Sequence, residues 1–376
     1  MEGADQQQAG VETGERPSVR AIAAALDACF ERRGLGVRVA RAAPVLGGFE
    51  TYIYRLELAP TDLGGAPSLP IVTPLILRFG WRPDSAKAVV WESRAMEAAR
   101  QAGIPAPRVY LVEPHLPKLG GAIMLMEVVC GVRLDQAALG AGIVEVIRLT
   151  RAYARMQAAI YHVPWRPATA QLPEIGRSAL APFASFEQRL HALDAEIETR
   201  GLLFLRPVLG WLQDHRGVIE QRRRVFLHGD CHPLNIFVEK DRVCGVIDWS
   251  AAGFGDRHED IGWSSMLIAT FTSADRAEDR RLGVFRTVGR WLYLAFLHDA
   301  CRLDRAALRY GEVYGGLRWL LIFLPSYLPN AGPPVLNADA PAFTIPLYVR
   351  RVQRFLEQRT NLRLNVPLPA RERREA

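Results

Sequence analysis

Residues 228–235 read His-Gly-Asp-Cys-His-Pro-Leu-Asn and concentrate side chains that can do chemistry. Two histidines, a cysteine, an aspartate and an asparagine occur within eight positions. Three kinds of site use such side chains: a metal centre, a nucleophile activated by a base, and a phosphoryl-transfer loop. Each kind requires a different spacing, so the spacing can be used to choose among them.

A zinc site would use His228, Cys231 and His232 as ligands. The segment lacks the C-x-x-C and H-E-x-x-H spacings, and a fourth ligand would have to be assumed. A Cys231 nucleophile with a histidine base is also weakly supported, because adjacency in sequence says little about the geometry of two side chains. A zinc-dependent protein therefore stays a third hypothesis, for which stoichiometric zinc in the purified protein would be required.

Phosphoryl transfer needs an aspartate to orient the attacking hydroxyl, and oxygen ligands for magnesium. Asp230 and Asn235 are five positions apart, the separation of the aspartate and asparagine in the protein-kinase motif H-R-D-x-x-x-x-N. Asp248 follows the hydrophobic run Val243 to Ile247, where a second magnesium ligand is expected. Because two predicted strands separate Asn235 from Asp248, the chain should fold them back side by side.

The elements that position this loop begin with a helix from Ser18 to about Arg33, in which Ile22, Leu26 and Phe30 recur at every fourth position. Short β-type runs and one helix after Asp84 follow before residue 129. The predicted strands are about 37–43, 51–58, 75–79, 108–112 and 122–128. This order predicts a small antiparallel sheet with one helix.

Beyond Gly131 the pattern predicts a mainly helical part, interrupted by one β island at 225–247. The helices are expected at about 143–161, 184–199, 203–223, 276–299, 304–324 and 346–358. We therefore predict an α+β fold of two lobes. The boundaries are an N-lobe at 18–129, a C-lobe at 130–365, and disordered polar tails at 1–17 and 366–376.

The composition excludes several classes of protein. The chain of 376 residues is 49% hydrophobic and 23% charged, as in soluble globular proteins, and no apolar run is long enough to span a membrane. Although the net charge is +7, 47 basic residues are spread among 40 acidic ones, which argues against a nucleic-acid partner. The N-terminus lacks a secretory signal pattern, and five scattered cysteines suit reduced thiols. We expect a cytoplasmic monomer or homodimer.

The loop and the segment after it, VIDWSAAGFGDRHEDIGW, resemble the aminoglycoside phosphotransferase and choline kinase-like family. The family pattern is H-G-D-x-H-x-x-N, then I-D-W or I-D-F, then G-D-P-x-x-D-L. The first two parts are intact here, and Arg257 replaces the proline of the third. The resemblance extends over roughly residues 35 to 330 and implies a protein-kinase-like fold. It also implies an ATP-dependent kinase that phosphorylates a hydroxyl of a small molecule.

The resemblance also assigns roles to residues of the loop. Asp230 corresponds to the catalytic aspartate, and His228 corresponds to the second residue of the catalytic site, which shapes the loop. For His228 and His232, support of the loop by hydrogen bonds is favoured over proton transfer. Asn235 and Asp248 correspond to the magnesium ligands. Asp256 and Asp260 are expected to be structural, capping a helix that begins near Asp260 and tying this segment to the catalytic loop.

The nucleotide is expected in a cleft between the lobes, where Gly47 and Gly48 lie in the position of the family's phosphate loop. Arg78 ends a strand where protein kinases place a lysine; its permanent charge can hold phosphate oxygens, with Glu92 as its ion-pair partner. The hinge residues Met126 and Val128 would receive the adenine of ATP, or the guanine of GTP. The predicted nucleotide-binding residues are therefore Gly47, Gly48, Arg78, Glu92, Met126 and Val128. The replacement of lysine also leaves an alternative, a catalytically weak pseudokinase that acts as a nucleotide-binding or regulatory module.

The hydroxyl acceptor is expected to bind among the C-terminal helices. Residues 261–360 contain 13 arginines and 8 acidic residues, whereas a polycationic aminoglycoside would favour a cleft lined with carboxylates. The acidic cluster Asp275, Glu278 and Asp279 is interleaved with arginines, which predicts a solvated helix. The sequence does not choose among an aminoglycoside, another antibiotic and an endogenous metabolite.

Overall fold

The computed structural model describes residues 16–46, 51–61, 69–70, 74–164, 185–273, 275–328 and 345–367. Within these ranges the chain forms two compact units. Of the described residues, those up to 100 and those at 106–129 form the first unit, and those at 101–105 and from 130 onward form the second.

The first unit is an antiparallel five-stranded sheet with two helices. Its elements are α1 (Val19–Arg32), β1 (Val37–Val45), β2 (Tyr52–Pro60), β3 (Leu75–Gly80), α2 (Ser85–Gln101), β4 (Val109–Leu116) and β5 (Gly121–Glu127). The strand order is β1-β2-β3-β5-β4. The sheet places β3 next to β5, so Arg78 lies opposite Met124.

The face of α1 that carries the apolar residues at every fourth position is buried. Ile22, Leu26 and Phe30 are all inaccessible to solvent and join the core of the sheet. Alternate residues of β2, including Tyr52 and Tyr54, point into the same core. Apolar residues at every fourth position of the helix and every second position of the strand therefore form one apolar layer between the two elements.

The second unit is mainly helical. Its helices are α3 (Leu134–Leu139), α4 (Ile143–Ile160), α5 (Phe186–Thr199), α6 (Arg206–Asp214), α7 (Gly217–Glu220), α8 (Arg257–Thr270), α9 (Arg276–Val284), α10 (Arg290–Cys301), α11 (Arg305–Phe323) and α12 (Ile345–Thr360). The single helix predicted at 203–223 is wrong, because this stretch is a 3₁₀ turn followed by α6 and α7. A π-helical turn at Phe285–Gly289 joins α9 to α10.

Short strands of the second unit carry the loop at 228–235. They are β6 (Val132–Arg133), β7 (Val225–Leu227), β8 (Ile236–Glu239), β9 (Arg242–Val246) and β10 (Gly253–Gly255). The strands β8 and β9 form a hairpin that β6 extends, and β7 pairs with β10. The strands β6 and β10 were not predicted from sequence, since strands of two or three residues carry little periodicity.

The predicted fold class is confirmed: a small antiparallel sheet near the N-terminus precedes a mainly helical part. In the ranges that the structure describes, no helix combines the length and the apolar character needed to cross a lipid bilayer.

Candidate active site

The loop at 228–235 begins where β7 ends, and Gly229 sets its direction. Gly229 has φ +79°, a left-handed conformation that favours glycine. A Cβ atom at this position would also collide with the backbone carbonyl of Ala251. The loop can therefore turn sharply against the segment after Asp248 only because residue 229 has no side chain.

The Asp230 carboxylate receives hydrogen bonds on both oxygens. The indole N–H of Trp263 donates to Oδ1 at 2.7 Å, and the amide of Asn235 donates to Oδ2 at 3.1 Å. Burial alone would raise the pKa of Asp230, but His232 and the other donors hold this pKa below its ordinary value. Asp230 is therefore ionised at neutral pH and fixed in orientation, while a quarter of its side chain stays accessible.

His228 is held in a neutral form that supports the loop. Its Nδ1 accepts the backbone N–H of Asp230 at 3.2 Å, so the ring proton is on Nε2, 3.0 Å from the carbonyl oxygen of Ile247. Burial lowers the pKa of His228 to about 4. This geometry ties the loop at 228–235 to the residue before Asp248, and it favours the predicted hydrogen-bonding role over proton transfer.

Cys231 lies inside the unit and does not have the character of a nucleophile or a zinc ligand. Its side chain is inaccessible, and burial raises the pKa of the thiol well above its ordinary value. In the described part of the chain, no three His, Cys, Asp or Glu side chains are arranged to hold a metal ion. The five cysteines are free thiols.

The hairpin brings Asn235 and Asp248 to the same end. Ile236 pairs with Val246, and the N–H of Ile247 donates to the carbonyl of Asn235 at 2.9 Å. Asp248 follows with φ +61°, a conformation that aspartate tolerates better than most residues. The Asn235 amide nitrogen is used by Asp230, whereas its amide oxygen accepts no hydrogen bond from the residues described.

Asp256 and Asp260 both have structural contacts, but α8 begins earlier than predicted. Asp256 is the N-cap of α8 and forms a capping box with Glu259, so the helix starts at Arg257 rather than near Asp260. Asp260 lies in the first turn and accepts the N–H of Gly229 at 2.9 Å. It therefore ties α8 to the loop at 228–235 instead of capping the helix.

Asp260 should make stability depend on pH. Burial raises the pKa of its carboxyl to about 6, although its hydrogen bonds oppose the rise. Since an unfolded aspartate titrates near pH 4, the contribution is fully present below about pH 4 and is lost as the pH rises through about 6. We expect the unfolding free energy of the wild type, relative to Asp260→Asn, to fall by on the order of 2 kcal/mol over this window. Urea unfolding at several pH values measures this difference in unfolding free energy. The difference between the wild type and the exposed Asp241→Asn should not change with pH. A difference for Asp260→Asn that does not change with pH would contradict the raised pKa.

The predicted nucleotide residues lie in the first unit, apart from this loop in sequence. Arg78 and Glu92 form a buried ion pair, and Arg78 Nε also donates to Thr51 Oγ1 at 3.4 Å. Met126 is buried in β5. Val128 follows Glu127, the last residue of β5, by one position. Gly47 and Gly48 fall outside the described residues.

Sequence reasoning missed Trp263 and misjudged Asp279. Trp263 lies one turn after Asp260 on α8, a spacing that puts both side chains on one helix face, and this was the only signal for it. Asp279 is not on a solvated face as predicted: it binds Arg286 at 3.1 Å and Arg351 at 2.6 Å. Its burial would raise the pKa, but Arg351 and the other donors lower it to about 2.

The chain belongs to the phosphotransferase enzyme family, whose pattern matches residues 43–295. The fold is similar to that of a Ralstonia eutropha JMP134 protein provisionally named an aminoglycoside phosphotransferase, with 18% identity, a TM-score of 0.58, and coverage of 89% of this chain and 98% of that chain. It is also similar to a thermostable mutant of aminoglycoside phosphotransferase APH(4)-Ia in complex with ADP and hygromycin B, with 15% identity, a TM-score of 0.56, and coverage of 88% and 96%. An aminoglycoside-3'-phosphotransferase of type VIII has 16% identity and a TM-score of 0.52, with coverage of 78% and 98%.

No curated protein matches the sequence. The family resemblance predicted from the loop motifs is confirmed, and the class of the protein is that of kinase-like phosphotransferases.

Proposed function

We propose that this protein is a magnesium-dependent kinase that transfers the γ-phosphoryl group of ATP to a hydroxyl group of a small molecule. The observation that carries this proposal is the arrangement of Asp230, Asn235 and Asp248 around one hairpin. An ionised aspartate and two oxygen ligands are the groups that phosphoryl transfer requires. The solved relatives that contain ADP or AMP-PNP together with hygromycin B support a nucleotide and an alcohol as the two substrates.

In the proposed step, Asp230 accepts a hydrogen bond from the acceptor hydroxyl and orients its oxygen. The bond between this oxygen and the γ-phosphorus forms while the bond from the γ-phosphorus to the bridging oxygen of ADP breaks. The hydroxyl proton passes to Asp230, and ADP leaves. The hydrogen bonds from Trp263 and Asn235 hold the carboxylate in place, and His228 fixes the loop backbone.

Asn235 and Asp248 have the chemistry of magnesium ligands. Magnesium prefers oxygen ligands and is commonly held by one or two protein groups together with nucleotide phosphates. The Asn235 amide oxygen and the Asp248 carboxylate supply two such groups, which agrees with the small number of acidic residues at this site. Magnesium, when bound, would neutralise charge on the phosphates.

The first unit would bind the nucleotide. Arg78, held by Glu92, would pair with phosphate oxygens, and Gly47 and Gly48 would lie over the phosphates. The backbone near Met126 and at Val128 would receive the adenine. Complexes of the solved relatives with adenine nucleotides favour ATP as the donor.

Arg78 also supports a second candidate, the pseudokinase that binds a nucleotide without efficient transfer. Arginine keeps the charge of the usual lysine, but its planar head cannot adopt the same geometry. The two candidates share nucleotide binding and differ in turnover.

Nucleotide binding is tested by thermal unfolding with ATP, with and without magnesium. At 100 times its dissociation constant, a nucleotide should stabilise the folded protein by about 2.7 kcal/mol. We expect a magnesium-dependent increase in Tm that is lost in Asn235→Ala and Asp248→Ala. Asp241→Ala, an exposed change in the same hairpin, should keep it. The proposed metal site would be contradicted if ATP raised Tm equally without magnesium, or if all three variants kept the magnesium-dependent increase in Tm.

A further inference from the structure

Two carboxylates of the C-terminal helices, one buried and one partly buried, already bind arginines. Glu312 on α11 binds Arg290 at 2.5 Å and Arg359 at 2.7 Å. Asp279 on α9 binds Arg351 at 2.6 Å. A polycationic acceptor would have to displace an arginine from either carboxylate, so these groups do not form a site that is ready to bind amines.

Arg318 on α11 differs from these arginines, because within the described residues it has no carboxylate partner. Its guanidinium carbon lies 4.9 Å from the centroid of the Trp263 ring and 5.8 Å from that of Tyr314. Its Nε is buried and makes no hydrogen bond. Aromatic faces attract a cation without neutralising it, so this half-buried guanidinium keeps its capacity to bind an anion.

Close packing of α11 on α8 brings Arg318 onto the ring of Trp263, the residue that also contacts Asp230. A Cβ atom on Gly315 would lie only 3.1 Å from the Cα of Trp263, so a glycine here permits the close approach. Arg318 follows one turn later on the same face and covers the Trp263 ring. The indole N–H of that ring donates to Asp230 at 2.7 Å. The indole of Trp263 therefore contacts both the Asp230 carboxylate and the Arg318 guanidinium, which has no carboxylate partner among the described residues.

We propose that Arg318 binds an anionic group of the acceptor, so that the substrate is an alcohol that carries a carboxylate or a phosphate. This inference rests on the proposed kinase function of the same site. A guanidinium binds either oxyanion through two parallel hydrogen bonds. The excess of 13 arginines over 8 acidic residues in 261–360 favours the same class of acceptor electrostatically.

The test compares alcohols that differ mainly in charge. Phosphorylation by MgATP is measured as kcat/KM for glycerate, glycerol and serinol, and for glucuronate, glucose and glucosamine, with glycerol 3-phosphate added to separate phosphate from carboxylate. We expect the anionic member of at least one series to be preferred. Arg318→Met should lower its kcat/KM by about 10- to 100-fold, mainly through KM, because a charged hydrogen bond is lost. Arg318→Lys should restore part of it.

The matched control is Arg305→Met, at the exposed first position of the same helix. It should leave the preference for the anionic alcohol unchanged. Transfer to the neutral or cationic members in preference to the anionic ones would overturn the inference, and so would an effect of Arg318→Met on ATP affinity alone. Absence of transfer to every alcohol, or of nucleotide binding, in the wild type would instead contradict the proposed function. The two failures are therefore distinguishable.

Discussion

Replacing Asp230 by asparagine is expected to lower kcat by about 10²- to 10⁴-fold, the usual contribution of a positioned acid–base group. The carboxylate accepts hydrogen bonds from Trp263 on one oxygen and from Asn235 on the other. An amide has a single oxygen, so it must present its nitrogen to one of these donors and cannot accept the hydroxyl proton. The orientation and the proton acceptor are thus lost together.

The measurement is ADP release in the presence of magnesium, with the acceptor that supports the highest rate. Asp230→Asn should still show the magnesium-dependent increase in Tm with ATP, because Asn235 and Asp248 are unchanged. Asp241→Asn gives the same chemical replacement in the exposed turn of the hairpin and should retain the wild-type rate. A wild-type rate in Asp230→Asn would remove Asp230 from its proposed role.

Replacing Glu312 by alanine is expected to lower the free energy of unfolding by about 3 kcal/mol. Glu312 is 4% exposed and accepts hydrogen bonds from Arg290, Arg359 and Ser265. Without Glu312, the partly buried guanidinium groups of Arg290 and Arg359 lose the carboxylate that neutralises their charge. Breaking a buried ion pair on one side is costly because the remaining charge stays desolvated.

Urea unfolding of the wild type and Glu312→Ala measures this loss. Glu312→Gln should lose part of the stability, since it keeps the volume and one acceptor oxygen but not the charge. Glu220→Ala is the matched control: its pair with Arg216 is exposed, so its loss should cost less than about 1 kcal/mol. Equal effects of Glu312→Ala and Glu220→Ala would show that the buried cluster does not stabilise the unit as described.

The positions of Asp230, Asn235 and Asp248 could be predicted because local rules determine them. Five residues separate the first two, and a hairpin of two hydrophobic strands returns the chain to the third. The period of four in α1 predicted its buried face in the same way. In each case the relevant contacts form between residues that are near in sequence or linked by one turn.

Contacts between distant elements could not be predicted in this way. The indole of Trp263 reaches Asp230 only because α8 packs on the loop at 228–235. Arg318 reaches Trp263 only because Gly315 lets α11 approach α8. Asp279 looked solvated among neighbouring arginines, yet its strongest partner is Arg351 on α12, far along the chain. These contacts depend on how the helices pack against each other, which hydrophobic periodicity does not specify.

The transfer of the ³²P label from γ-labelled ATP to an alcohol tests the central claim most directly. Magnesium, labelled ATP and the two series of alcohols are incubated with the wild-type protein, and the label is separated into ATP, inorganic phosphate and phosphorylated alcohol. The kinase account predicts magnesium-dependent label in a phosphorylated alcohol. Label that remains in ATP despite magnesium-dependent nucleotide binding would contradict it and favour the pseudokinase that Arg78 suggests.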